Sequence, residues 1–156
     1  MFSMADKIRR FRDLSQHQRT LLVKALIIVV GVRAGLTLLP FPWFQPLLTR
    51  ARAALGTKRD SFRPSREQLV WAVRVASTCV PHATCLTQAL AVQVLFVQYQ
   101  YPAVVHIGVA RVPSGGGTFR AHAWLESNGQ TMIGELNVHY VPLTSLRAEP
   151  LREERI

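Results

Sequence analysis

Cys85, His122 and Glu135 supply a thiol, an imidazole and a carboxylate within one half of the chain. Cys85 follows Thr84, a helix-capping residue type, and precedes a long apolar run, so it is predicted to open a helix. A thiol at a helix start sits at the positive end of the helix dipole, which favours the reactive thiolate. His122 lies in the alternating segment Phe119-Arg120-Ala121-His122-Ala123-Trp124-Leu125-Glu126, which reads as a strand. An imidazole on a strand beside the thiol can act as its base. Asn128-Gly129 is a strong two-residue hairpin signal between two alternating segments. An unbroken register through that turn sets Ser127 against Gln130, Leu125 against Met132, Trp124 against Ile133 and His122 against Glu135. Opposed residues have Cβ atoms about 5 Å apart, so Glu135 is expected to orient the imidazole.

Two further residues share this chemistry. Gln88 lies one helical turn past Cys85 and can donate to an oxyanion. Trp124 shares the strand face of His122 and can wall a substrate cleft. Each assignment has an ordinary alternative: Cys85 and Cys79 as small buried hydrophobes, His122 as a satisfied sheet histidine, Glu135 as a surface carboxylate and Trp124 as a core aromatic. Cys79 is expected to be buried. Glu126, four residues along the strand, is about 13 Å from His122 and cannot orient it. His82 reads as a loop histidine, His17 and His139 as surface residues, and His106 is unassigned. The Cys79-His82-Cys85 spacing lacks the fourth ligand and second paired motif of a structural zinc site, so no metal is expected.

These residues sit in a chain of 156, enough for one domain. The composition is 49% hydrophobic and 18% charged, which suits a folded protein. The formal net charge is +10, with most basic residues in the first half, from Arg9 to Arg66. Such a surface favours acidic peptides or anionic membranes, with simple solubility as the alternative. No zinc-finger spacing, RNP motif or basic zipper points to nucleic acid. Two cysteines do not make a disulfide scaffold, and a reducing cytoplasm is the simplest setting. The chain begins without a signal-peptide cleavage pattern. Leu21 to Leu39 is strongly apolar, but Lys24 and Arg33 interrupt it, so a buried or interface-lying helix is expected rather than a span.

The elements that must position the site follow from caps and periodicity. Residues 1–56 read as a basic, apolar helical arm: a short helix from Asp6, a helix from Gln16 to about Leu39 capped by Ser15 and Gln18, an apolar turn, and a short helix from Pro46 to Leu55. Residues 57–64 form a polar linker, 65–146 the catalytic core and 147–156 a charged tail. Ser65 and Gln68 cap a helix to about Ala76, and Thr84 caps one from Cys85 to Tyr99 that is apolar nearly all round and therefore central. Strands are expected at Ala103–Val112, Thr118–Ser127, Gln130–Glu135 and Val138–Leu143, with a flexible loop at 113–117. The fold class is α+β, a central helix against a small antiparallel sheet.

The run Ala83-Thr84-Cys85-Leu86-Thr87-Gln88-Ala89-Leu90, then Ile107-Gly108-Val109, Ala121-His122-Ala123-Trp124-Leu125-Glu126 and Ile133-Gly134-Glu135, resembles the leader peptidases of lasso-peptide biosynthesis, transglutaminase-like cysteine proteases of bacteria. The likeness runs from Thr78 to Leu143. It implies a transglutaminase-like or papain-like core with Cys85 as nucleophile and His122 as base. Many relatives take their acid, an aspartate, slightly earlier after the hairpin, where this chain offers only Glu135. The resemblance further implies removal of the leader from a ribosomal lasso-peptide precursor, without cofactor, in a bacterial cytoplasm. It implies a separate leader-recognition protein, since no such domain precedes the core, and an ATP-dependent lasso cyclase downstream. The arm would dock that partner or a membrane surface. Two other readings stay open: an acyltransferase on the same thiol, and a non-catalytic membrane-surface or scaffold adaptor.

Overall fold

Ser15, Ser65 and Thr84 each start a helix, because each has a side-chain oxygen for an orphan N–H of the first turn, and Ser65 and Thr84 have the extended backbone of a cap. The computed structural model describes residues 14–38, 63–111, 119–134 and 140–148. Within them the helices are α1 (Gln16–Leu38), α2 (Arg66–Ser77) and α3 (Cys85–Gln98). Ser15 and Gln18 form a reciprocal capping box, with bonds of 3.3 and 3.0 Å. Ser65 and Gln68 form a second one at 3.3 and 2.9 Å. At α3 the Thr84 hydroxyl accepts the Thr87 N–H at 3.4 Å. The expected short helix from Asp6, the helix from Pro46 to Leu55, the loop at 113–117 and Glu135 lie outside the described residues, as does most of the linker and tail.

α3 is the central helix the sequence predicts. Eleven of its fourteen residues are buried, and it packs against α1, α2 and the sheet. It ends in a Schellman motif: the Tyr101 N–H donates to Phe96 O at 2.7 Å and the Gln100 N–H to Val97 O at 3.0 Å. Gln100 takes the left-handed position at φ 59°, and Phe96 meets Tyr101 ring to ring at 5.6 Å. Tyr101 is held in turn by its hydroxyl bond to Pro64 O at 3.0 Å and by Arg63, 4.1 Å above its ring.

The sheet has the order β3-β2-β1-β4, all antiparallel, with β1 (Ala103–Arg111), β2 (Phe119–Ser127), β3 (Gln130–Ile133) and β4 (Val141–Ala148). The helices cover one face, giving an α+β architecture. Leu69, Val73, Leu90, Leu95, Phe96, Val105 and Leu125 lie at the centre of one core cluster. Burying a side chain of that size contributes about 1.5–3 kcal/mol, so this cluster dominates the stability. α1, expected within an N-terminal arm, supplies Leu21, Leu22, Ala25, Val29 and Val32 to the same cluster. Gln93 lies fully buried in α3, and its amide donates to Leu146 O at 2.6 Å and Ala103 O at 3.4 Å. That amide ties the helix to β4 and to the start of β1.

The turn forms as expected. Asn128 and Gly129 both have positive φ, 53° and 76°, as a type I′ turn requires, and Ser127 faces Gln130. The register beyond it differs from the unbroken count. Glu126 pairs with Thr131 but Leu125 pairs with Ile133, not Met132, so Met132 is the extra residue of a β-bulge. Trp124 is therefore not opposite Ile133. The bulge removes the arithmetic that set Glu135 against His122. A second bulge on β4 leaves Leu143 unpaired between Pro142, opposite Gly108, and Thr144, opposite Ile107. β4 starts later and runs further than the Val138–Leu143 strand expected from sequence.

Candidate active site

Cys85 occupies the first position of α3, directly after its Thr84 cap. The Thr87 N–H goes to the Thr84 hydroxyl and the Gln88 N–H to Thr84 O at 3.0 Å. The N–H groups of Cys85 and Leu86 have no intrahelical acceptor, as in any first turn, and point out of the helix start. The thiol is half-buried and free of any disulfide.

His122 stands on β2 opposite Gly108. It shares a cleft of about 370 Å³ with Cys85, Gln88, Arg74, Ile133 and Gly134. Its Nε2 is buried and accepts or donates no hydrogen bond. A buried polar atom without a partner is rare and calls for a reason, a catalytic role among them. Here the orphan atom belongs to the imidazole whose cleft also holds the thiol.

Gln88 lines the cleft and donates its amide to Ala83 O at 3.5 Å, which ties the side chain to the loop before the helix. Trp124 does not line the cleft. It is buried, with its indole N–H on Glu126 at 3.0 Å and its ring stacked on His106 at 5.3 Å. His106, unassigned from sequence, reaches the second oxygen of Glu126 at 3.4 Å. Tyr140 closes the pile, 6.2 Å from the Trp124 ring and 5.0 Å from the His122 ring. Gly108 makes this stack possible, since a Cβ there would come within 3.0 Å of the indole and 2.7 Å of Val141 O. Glu126 thus serves Trp124 and His106, not His122.

Sequence reasoning missed Arg74 and Tyr140. Arg74 comes from the last turn of α2, and only helix packing brings it to the cleft. Tyr140 meets His122 through the β1–β4 pairing, which no local pattern encodes. The expectation that Cys79 is buried is corrected: it is exposed, in the turn after α2, with its sulfur 3.9 Å from the Thr78 hydroxyl. The helix stops at Ser77, one residue past its last apolar contact, and leaves Cys79 facing water. His82 is also exposed, at φ 57° in the loop before α3. His139 lies outside the described residues. Among the described residues no cluster of His, Cys, Asp or Glu could hold a metal ion.

A larger cavity, about 460 Å³, lies between the starts of α1 and α2 and is lined by Ser15, His17, Gln18, Leu21, Glu67, Gln68 and Trp71. It holds no thiol, and its Ser15 hydroxyl is taken up as the α1 cap, accepting the Gln18 N–H. Its one carboxyl, Glu67, is held below the usual carboxylate range by its own backbone N–H and then by the Ser65 hydroxyl.

A half-buried thiol at the start of a central helix, sharing a cleft with an imidazole on an antiparallel sheet, suits a fold of the cysteine-peptidase and acyltransferase type. Residues 28–145 match the Transglutaminase-like superfamily, and the chain belongs to it. No curated protein and no solved structure gives a match.

Proposed function

We propose that this chain is a cysteine peptidase that removes the leader from a ribosomally made lasso-peptide precursor. The observation that carries the catalytic part is the shared cleft of Cys85 and His122, with the imidazole Nε2 unengaged. The pathway rests on the likeness of the Cys85 and His122 motifs to lasso leader peptidases.

In this reading His122 takes the proton of Cys85, and the thiolate attacks the scissile carbonyl. The C–S bond forms while the carbonyl oxygen gains negative charge. The Cys85 N–H at the helix start, aided by the Gln88 amide, receives that oxyanion. His122 then gives its proton to the leaving amine as the C–N bond breaks. Water, deprotonated by His122, attacks the thioester and releases the leader acid and the thiol. Arg74 adds a positive charge to the cleft wall. Glu135 is retained as a proposed orienter of His122, resting on the motif alone. Tyr140 supplies the one ring packed on the imidazole among the described residues.

A small cleft grips an extended peptide through few contacts. We therefore assign substrate capture to a separate leader-recognition protein, which would raise the local precursor concentration to roughly millimolar. An ATP-dependent lasso cyclase would consume the core peptide. The test is cleavage of a precursor by the purified chain with and without the recognition protein, read by mass. Cys85→Ala and His122→Ala should each lower the rate by about a thousandfold or more, while Cys79→Ala leaves it unchanged. A fully active Cys85→Ala protein sinks the proposal. A product heavier by an added amine, in place of water, converts it to acyl transfer.

A further inference from the structure

α1 is apolar on two opposite sides, and only one of them is used by the fold. At about 100° per residue, Leu21, Leu22, Ala25, Val29 and Val32 fall in one arc of about 100°, and all five are in the core. Val23, Leu26, Ile27, Val30 and Leu38 fall in the opposite arc, and they are 49, 37, 67, 49 and 79% exposed. A soluble surface helix ordinarily turns polar residues outward, so an apolar stripe from Val23 to Leu38 needs a partner.

We propose that the outer face of α1 seats the protein on an anionic lipid bilayer. The inference goes beyond the peptidase reading and does not depend on it. Three observations choose lipid over another protein surface. First, Arg33 and Lys24 fall at the two lateral borders of the apolar arc on the helical wheel, and Arg19, the third cation of α1, lies at its N-terminal end, one turn before Val23. Lys24 is fixed there by its bond to the Tyr99 hydroxyl at 3.0 Å. Cations at the border of an apolar face lie level with lipid headgroups when that face sinks. Second, α1 contains no Asp or Glu, and the flanking sequence adds Lys7, Arg9, Arg10, Arg12, Arg50, Arg52, Lys58 and Arg59. Anionic headgroups complement this charge. Third, a second copy would bring like charges together, since each chain carries +10 and a two-fold contact apposes identical rims.

The helix does not cross the bilayer in this arrangement. It has the length and composition for a crossing, but a crossing would strip Leu21, Leu22, Ala25, Val29 and Val32 from the core. Instead α1 lies in the membrane plane with its outer arc sunk about 5–10 Å below the headgroup boundary.

The test is cosedimentation of the full chain with phosphatidylcholine/phosphatidylglycerol vesicles and with pure phosphatidylcholine vesicles. Binding to the anionic vesicles is expected, weakening as salt rises, with little binding to the neutral ones. Ile27→Glu and Val30→Glu should each lower the bound fraction about tenfold. Both sites are exposed, so far-UV circular dichroism and Cys85 alkylation should match the parent protein. Absent binding, or binding that ignores both substitutions, overturns the proposal. So does a dimer in light scattering that Ile27→Glu dissociates, which would give the face to a second copy.

Discussion

Gly134 ends the edge strand at the wall of the cleft, and replacing it separates two physical effects. Its φ is +85°, and an added Cβ would lie 2.6 Å from Ala123 O and 2.8 Å from the Cα and Cβ of Trp124. None of those atoms can rotate aside, because two are backbone and the third is fixed to it. Left-handed strain on a non-glycine residue costs about 1–2 kcal/mol. Forced overpacking adds about 1–3 kcal/mol. Gly134→Ala should therefore destabilise the protein by roughly 2–5 kcal/mol, a large part of the 5–15 kcal/mol that holds a typical domain folded. Gly129 is the internal control. Its φ is +76°, but an added Cβ meets nothing within 4 Å. Gly129→Ala should pay only the strain, about 1–2 kcal/mol. Urea unfolding monitored by tryptophan fluorescence measures both, with an unchanged m-value as the sign that only stability moved. Equal losses for the two variants would refute the contact between the end of β3 and the Trp124 backbone, and with it the account of how β3 frames the cleft.

Other substitutions test the frame of the fold. Gln93→Leu should lower stability by about 1–3 kcal/mol, because Leu146 O loses its buried donor; thermal unfolding reads this directly. Gln100→Gly should raise stability by about 0.5–1 kcal/mol, since the relief of the left-handed Schellman position outweighs the higher unfolded-state entropy of glycine; a lowered melting temperature would contradict that motif.

The helix starts were legible in the sequence because capping is local. Ser15-Gln18, Ser65-Gln68 and Thr84 announce themselves within four residues, and all three caps form. The Asn128-Gly129 turn was legible for the same reason. What local pattern could not reveal was how partner strands respond to one another. The bulge at Met132 shifts β3 by one residue, and counting across the turn cannot detect an unpaired position. Cys85 and His122 were legible as residue types in context. Their common cleft, the approach of Arg74 and the Tyr140 ring are products of tertiary packing. Glu126 shows the same limit: the sequence showed that it could not reach His122, but not that it holds Trp124 and His106. Residue type favours burial of Cys79, whereas its place after the end of α2 exposes it.

Cys85 and His122 are proposed to act as a nucleophile and its base, and alkylation tests that pairing most directly. Accessibility alone favours Cys79, which is exposed, over Cys85, which is half-buried. Chemistry favours Cys85, because it opens a helix beside an imidazole, while Cys79 follows a helix end where the dipole disfavours negative charge. Limiting iodoacetamide on the native protein, followed by peptide mapping, should modify Cys85 first, and His122→Ala should slow that modification while leaving Cys79 unaffected. Modification of Cys79 first, or a Cys85 rate indifferent to His122→Ala, would contradict the account.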